Sequence, residues 1–396
     1  MQESRYLANA LVARLGEFVQ IRRDIHANPE LAFEEHRTAS LVANKLTSWG
    51  YEVATGLGGT GVVGSLRRGT SSKSIGLRAD MDALPIMEAG SSSWKSKTPG
   101  LMHACGHDGH TAMLLAAAKL IAEDLDFDGV VHLIFQPAEE GAGGALKMME
   151  DGLFDRFPCD AIFAIHNMPG IEAGRFEFRK GSAMASSDNV TITINGRGGH
   201  GAFPHEATDS VVAAASIVMA LQTVVARNVD PQSTAVVTVG AIHAGKANNV
   251  IPQEAQLELS VRTLDTQVRS LVKERIHSLV NLQAESYGVQ ACIDWREGYA
   301  VLVNAHDETE FATNTAIKIF GAERVQPHGP AYTASEDFAF MLQQVPGSYI
   351  FIGNGGPGTQ GACNVHNPGY DFNDEIIAPG AAFWRALVDD YLKIKR

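Results

Sequence analysis

The chain opens on apolar residues at helical intervals. Leu7, Leu11, Leu15, Phe18 and Ile21 share one face of a helix predicted over Arg5–Ala27. Charged residues interrupt this segment throughout, so it reads as an amphipathic surface helix and lacks the unbroken apolar core of a signal peptide. Further helices are predicted over Glu35–Trp49, closed by Gly50, and over Gly109–Asp124, where Met113, Leu114, Ala117, Leu120 and Ile121 share one side. Ser74–Ala79, Val130–Phe135 and Ala161–Ile165 are short apolar runs bounded by polar residues, as strands buried in a largely parallel sheet should be. Strands alternating with helices predict an α/β domain.

After Lys180 the period becomes two. Val190, Ile192 and Ile194 alternate with threonines, and Leu257, Leu259 and Val261 alternate with polar residues, the mark of half-exposed antiparallel strands. Helices over Ser210–Arg227 and Val268–Tyr287, with strands over Ala235–Ala241 and Gln290–Trp295, complete the order β-α-β-β-α-β of a ferredoxin-like unit. The α/β pattern resumes after Gly298, with a helix over Glu308–Phe320 and a strand over Tyr349–Gly353. The expected architecture is therefore a catalytic α/β domain with a mixed, largely parallel sheet (residues 1–183 and 297–396), interrupted by an α+β domain over 184–296. The most apolar stretch, Val211 to Ala226, falls short of the ~20 apolar residues of a membrane span and reads as a buried or half-buried helix.

Composition narrows the function. With 45 acidic against 32 basic residues the net charge is −13, which argues against a nucleic-acid partner. Cys105, Cys159, Cys292 and Cys363 are too irregularly spaced for a disulfide framework. Without a signal-peptide pattern or a span, the expected location is the cytoplasm, with no membrane partner.

The chemistry concentrates in four clusters. Met102-His103-Ala104-Cys105-Gly106-His107-Asp108-Gly109-His110 precedes a helix, and Cys105 and His107 can present a soft sulfur and an imidazole to one metal centre. Gln136-Pro137-Ala138-Glu139-Glu140-Gly141 follows an apolar strand, where α/β folds place their ligands. Neighbouring side chains point different ways, so one carboxylate can bind metal while the other serves as general base; the competing reading is a solvated acidic turn. His166-Asn167-Met168-Pro169 follows another strand, and His366-Asn367-Pro368 lies in a glycine-rich stretch. Cys, His, Glu, His and His suffice for two divalent ions sharing a bridging water.

Together these segments resemble the amidohydrolase branch of the aminoacylase/carboxypeptidase metallopeptidase family, which includes hippurate hydrolases, N-acyl-amino-acid amidohydrolases and auxin-conjugate hydrolases. The resemblance also rests on Arg78-Ala79-Asp80-Met81-Asp82-Ala83-Leu84-Pro85, Gly198-Gly199-His200-Gly201 and Asn249-Val250-Ile251-Pro252, and it runs in order over essentially the whole chain. It implies metal ligands Cys105, His107, Glu140, His166 and His366, and Glu139 as catalytic base and proton shuttle. It implies Asp82 as a positioning carboxylate near the metals. Asp80 stands where the wider family has a ligating histidine, which leaves no direct metal role for it. The inserted domain would be a lid and dimerisation domain, from which His200 would help polarise the scissile carbonyl, while Asn249 and Arg262 would hold the substrate carboxylate. Arg262 suits that task because its planar fork accommodates a carboxylate through two hydrogen bonds.

The implied reaction is hydrolysis of the amide bond of an N-acyl-L-amino acid, or of a dipeptide, by a metal-bridged water. The implied cofactors are two divalent ions per subunit, drawn from Mn²⁺, Zn²⁺, Co²⁺ and Ni²⁺. The implied assembly is a homodimer, with a tetramer as the alternative. Two other readings compete: a thiol hydrolase with Cys105 as nucleophile and His107 as its base, and a non-catalytic metal- or peptide-binding protein.

Overall fold

Short apolar strands with β-branched and aromatic residues, buried on both faces, need helices to cover them, and the chain supplies these between strands. The computed structural model describes residues 16–394. Residues 16–27 form helix α1; the part of the expected first helix between Arg5 and residue 15 lies outside the described residues. The chain divides into two compact units. The first takes in the chain up to Gly181, Val303–Pro330 and the chain from Asp337; the second is Ser182–Leu302 with Ala331–Glu336.

In the first unit the strands are β1 (Glu52–Leu57), β2 (Gly61–Arg68), β3 (Ser74–Asp80), β4 (Gly129–Gln136), β5 (Ala161–Pro169), β6 (Phe176–Glu177), β15 (Val325–Gln326) and β16 (Gly347–Gly355). They form one sheet in the order β1-β2-β4-β3-β5-β16-β6-β15. The central neighbours β4, β3, β5 and β16 run parallel, and the β1, β2 edge and the β16–β6 pair are antiparallel. This is the mixed α/β sheet the pattern predicts. Helices α2 (His36–Ser48), α3 (His107–Asp124), α4 (Gly144–Glu150), α5 (Leu153–Arg156), α8 (His306–Phe320), α9 (Phe338–Gln344) and α10 (Ile377–Tyr391) complete the unit. Because β3, β4, β5 and β16 are parallel, their C-terminal ends share one edge of the sheet, which is where open α/β sheets bind ligands.

Two expected boundaries shift, and both matter for the site. Helix α3 begins at His107, two residues before the predicted start, because Gly106 takes a left-handed φ of 92° and turns the chain directly into the helix. Strand β5 continues to Pro169, so His166 and Asn167 lie within it and not after it; pairing with β16, where Phe351 faces His166, outweighs the polarity of these residues.

The second unit contains β7 (Gly181–Met184, at its boundary), β8 (Asp188–Asn195), β9 (Gly199–His200), β10 (Ala235–Ala244), β11 (Val250–Ile251), β12 (Glu254–Thr263) and β13 (Gln290–Glu297), with α6 (Ser210–Asn228) and α7 (Thr266–Ser286); β14 (Leu302–Asn304) begins at its last residue and continues into the first unit. Its main sheet has the order β10-β12-β8-β13 and is antiparallel throughout. Val190, Ile192, Ile194, Leu257, Leu259 and Val261 fill its core, as their alternation predicts. Helix α6 corrects one expectation. At 19 residues it is long and apolar enough, by length and composition, to cross a membrane, because it runs on past Ala226 to Asn228. Ala213, Ala214, Ile217, Leu221 and Val224 nevertheless form a buried stripe at helical spacing within the unit's core.

Candidate metal centre

The loop entering α3 is shaped by Gly106. A Cβ there would lie 2.4 Å from both Asn167 Nδ2 and Tyr370 Oη, so only glycine fits beneath these two groups. They in turn fix the loop: Tyr370 Oη donates to Asn167 Oδ1 at 2.8 Å, and Asn167 Nδ2 donates to the Cys105 carbonyl at 2.7 Å. The result puts Cys105 and His107, one residue apart on either side of the turn, into the same space.

Each imidazole in that space has its Nδ1 spoken for. His107 Nδ1 lies 3.1 Å from Asp82 Oδ1, and its buried Nε2 has no hydrogen-bond partner. His166 Nδ1 donates to the Asn167 carbonyl at 2.6 Å, which leaves Nε2, 3.4 Å from Cys105 Sγ, as the lone-pair nitrogen. A hydrogen bond on one ring nitrogen fixes the tautomer and aims the other, the arrangement that metal-ligating histidines adopt. His366 comes from the loop before α10. Its φ of 62° is left-handed and its N–H donates to the Ala104 carbonyl at 2.7 Å, which brings its Nε2 to 3.2 Å from Glu140 Oε1.

Glu139 and Glu140 follow β4 on a loop held from several sides. Glu140 N–H donates to Asp82 Oδ2 at 2.9 Å, so Asp82 supports both a histidine and this loop. Gln136 donates to Asp337 at 2.8 Å and accepts from Arg78 Nε at 2.8 Å, anchoring the loop's first residue. Ala138 adopts a φ of 55°, which costs an L-residue roughly 1 kcal/mol and persists only where surroundings enforce it. Glu140 Oε1 is buried, 3.2 Å from His366 Nε2 and 3.9 Å from His107 Nε2.

The donor atoms converge. Cys105, His107 and His166 each offer one ligand atom, all within 4.8 Å of one another; the same holds for Cys105, Glu140 and His366, and for His107, Glu139 and Glu140. Sulfur, imidazole and carboxylate donors suit a borderline divalent cation. The unpartnered His107 Nε2 and the two donor groups that share Cys105 fit a pair of such ions.

The electrostatics agree. Burial pushes the Cys105 thiol well above its ordinary value, and the carboxylates of Glu140, Glu139 and Asp80 push it further. This is the reverse of an activated nucleophilic thiolate. The sulfur also lies against His166, not against the expected base His107. Burial would lower the His107 imidazole, but Asp80, Asp82 and Glu140 outweigh it and hold it at about 10. Burial is the largest cause holding His166 well below its ordinary value, so its Nε2 keeps a free lone pair. The site thus carries more negative than positive charge in its walls, a demand that cations meet.

The structure gives several residues around this cluster partners that the sequence motifs did not indicate. His110 Nδ1 is 2.6 Å from Asp80 Oδ1, while its Nε2 accepts from the backbone N–H of Asn167 at 3.0 Å. A backbone N–H can only donate, so His110 is neutral, with its proton on Nδ1 facing Asp80. Asp80 also takes Arg78 Nη1 at 2.7 Å, so both its oxygens are engaged by protein groups. Behind α3, the buried Arg22 and His26 converge on Asp108, with Arg22 Nε at 3.0 Å and His26 Nδ1 at 2.8 Å from Oδ2. Burial opposes ionisation of Asp108, but Arg22 and His26 prevail and hold it well below the usual carboxylate range. Arg78 and His110 stood inside quoted motifs and His26 in none, and most of the partners that give the three their roles stand far away in sequence.

The remaining expected site residues belong to the second unit. His200 and Asn249 are exposed on neighbouring strands of a short ribbon, where His200 pairs with Val250 and Gly201 N–H donates to the Asn249 carbonyl at 2.8 Å. Arg262, on β12, is half-buried, with Nη1 donating to Ser335 Oγ at 2.8 Å and Nε to Ser260 Oγ at 3.4 Å.

The model of peptidase family M20/M25/M40 matches residues 76–390. The chain is 46% identical over 378 residues to the hippurate hydrolase of Campylobacter jejuni, covering 96% of this chain and 97% of that protein. It is 38% identical over 369 residues to the N-acetyl-L-cysteine deacetylase of Bacillus subtilis, covering 93% and 86%. Among solved structures, a dinuclear metal-binding peptidase of the M20 family from Bacillus subtilis superposes with a TM-score of 0.83 at 30% identity, over 96% of this chain and 99% of that one. The chain belongs to peptidase family M20/M25/M40 and is a metal-dependent amidohydrolase.

Proposed function

We propose that this protein hydrolyses the amide bond of N-acyl-L-amino acids, with Glu139 as general base and proton shuttle. The observation that supports the reading is that two adjacent carboxylates reach one cluster of thiol and imidazole donors. Glu140 shares one donor group with Cys105 and His366, with its Oε1 3.2 Å from His366 Nε2, while Glu139 stands beside them, buried, with an oxygen within 4.8 Å of the His107 and Glu140 ligand atoms. One carboxylate would serve as ligand and the other would carry the proton.

Cys105, His107, Glu140, His166 and His366 would hold two divalent cations, drawn from Mn²⁺, Zn²⁺, Co²⁺ and Ni²⁺. When bound, such ions supply Lewis acidity and a nucleophile that is available near neutral pH. Glu139 accepts the proton of the attacking water and delivers it to the departing amine nitrogen, so one group serves both halves of the reaction. Its short tether to the Asp82-held residue Glu140 keeps that transfer in register. His200 donates to the developing oxyanion, a contribution typically worth ~3 kcal/mol of barrier. Asn249 and Arg262 hold the substrate carboxylate, which restricts substrates to those bearing one.

The second unit, bounded in the expectation at residues 184–296, acts in this reading as lid and dimerisation domain. Val211, Val212 and Met219 on α6 and Ile242 on the edge strand β10 are exposed apolar residues that a second copy would cover. Cytoplasmic location belongs to the same proposal.

The test is Glu139→Gln. Metal content should stay at the wild-type level while kcat falls roughly 10²–10⁴-fold, the usual worth of general base catalysis; unchanged turnover overturns the assignment. A hydrolysis screen over N-acetyl and N-benzoyl amino acids and dipeptides, run with each of the four metals, fixes the acyl group and the native ion.

A further inference from the structure

Glu34 and Glu35 are neighbours with opposite fates: the side chain of Glu34 is 74% exposed, and Glu35 is wholly buried. Glu35 stands at the N-cap of α2, yet it makes no capping hydrogen bond to that helix. Its carboxylate turns inward instead. One oxygen meets the Thr60 hydroxyl, and the other accepts the backbone N–H of Ala138 at 2.9 Å. Burial, with a further push from Asp82, raises this group from its ordinary value against the Thr60 hydroxyl and backbone donors, and among the described residues no cation pairs with it. A buried carboxylate without a cationic partner is expensive, and a helix cap would not require one.

What it holds is the residue before the base. Ala138 carries the left-handed φ of 55°, and its carbonyl accepts the Gly144 N–H at 3.0 Å, so the residue is gripped on both sides. We infer that Glu35 is a positioning residue for catalysis: it enforces the left-handed backbone at Ala138 and thereby aims Glu139. This rests on the reading of Glu139 as base. Glu35 touches no reacting atom and acts through the loop alone.

The experiment compares four metal-loaded variants on the N-acyl amino acid selected by the screen, with metal content and thermal unfolding measured for each. In Glu35→Ala the loop relaxes, and kcat falls ~10–100-fold with KM and metal content near wild type, since small misplacements of a reacting group cost that much. In Glu35→Gln the amide oxygen still accepts the Ala138 N–H and the NH₂ group meets Thr60 Oγ1, so kcat stays within about threefold of wild type. Adding Ala138→Gly to Glu35→Ala recovers about tenfold in kcat, because glycine holds a positive φ without the clamp. A residue that merely anchors α2 would instead lower the melting temperature and the folded fraction, leave kcat per metal-loaded molecule intact, and gain nothing from Ala138→Gly.

Glu139→Gln is the fourth variant. If it is inactive while Glu35→Ala retains wild-type kcat, or if Ala138→Gly gives no recovery, the positioning role is overturned and the base stands. If Glu139→Gln turns over normally, both fall.

Discussion

Asp82 Oδ1 lies 3.1 Å from Nδ1 of His107, and this contact sets which nitrogen of the ring is free for a metal. The second oxygen of the same carboxylate accepts the N–H of Glu140 at 2.9 Å. One side chain thus orients two donors that stand 33 positions apart in the chain, and its two oxygens are both used as acceptors.

That double use makes Asp82→Asn informative. An amide has only one acceptor, so either the His107 proton or the Glu140 N–H would face an NH₂ group. Metal affinity should fall roughly 10–100-fold, the usual consequence of losing the partner behind a ligating histidine. Competition against a graded series of chelators measures it, and wild-type affinity would remove Asp82 from the account.

Gly106→Ala should weaken fold and site together. The new methyl group carries the left-handed penalty and meets Asn167 and Tyr370 at 2.4 Å, two side chains locked to each other and to the Cys105 carbonyl. A loss of roughly 2–4 kcal/mol is expected from backbone strain plus displacement of a buried network. Thermal unfolding with and without metal reads it out. A melting temperature within a degree of wild type would show that the loop tolerates what the geometry forbids.

His26 gives the fold a pH dependence. Burial would lower this imidazole, but Asp108 and Glu88 outweigh it and raise it from 6.5 to about 9. A group raised on folding stabilises fully below its unfolded value and loses that stabilisation as pH climbs through its folded value. The window is therefore pH 6.5 to 9, and the full contribution is about 3 kcal/mol by linkage. Urea midpoints across this range should fall for the wild type and fall less steeply for His26→Gln; parallel curves would contradict the assignment.

Much of the fold was readable in the sequence because burial leaves a period. Val190, Ile192 and Ile194 announce a one-sided strand, and the apolar run Val130–Phe135 a two-sided one. The donor cluster drew notice in the sequence because Cys105-Gly106-His107 and Glu139-Glu140 are rare in ordinary loops. The sequence was silent where a residue's meaning depends on a distant partner. Glu34 and Glu35 look alike in a polar run, yet only the second is buried, and its partner Ala138 is 103 positions away. His166 looked like a residue beyond its strand because polarity suggested an end, whereas pairing with Phe351 extends the strand through it. Arg78 and Asp337, 259 positions apart, meet around Gln136 behind the Glu139–Glu140 loop, and neither carries any local sign of doing so.

The central claim is that five side chains from four segments enclose two cations. Crystals grown with Mn²⁺ and measured at the manganese absorption edge test it directly. The anomalous difference map should show two peaks per chain, one within bonding distance of His107 or His166, the other near Glu140 and His366, and at least one bonded to the Cys105 sulfur. A map without peaks among these residues, or with manganese bound only elsewhere on the chain, would contradict the account.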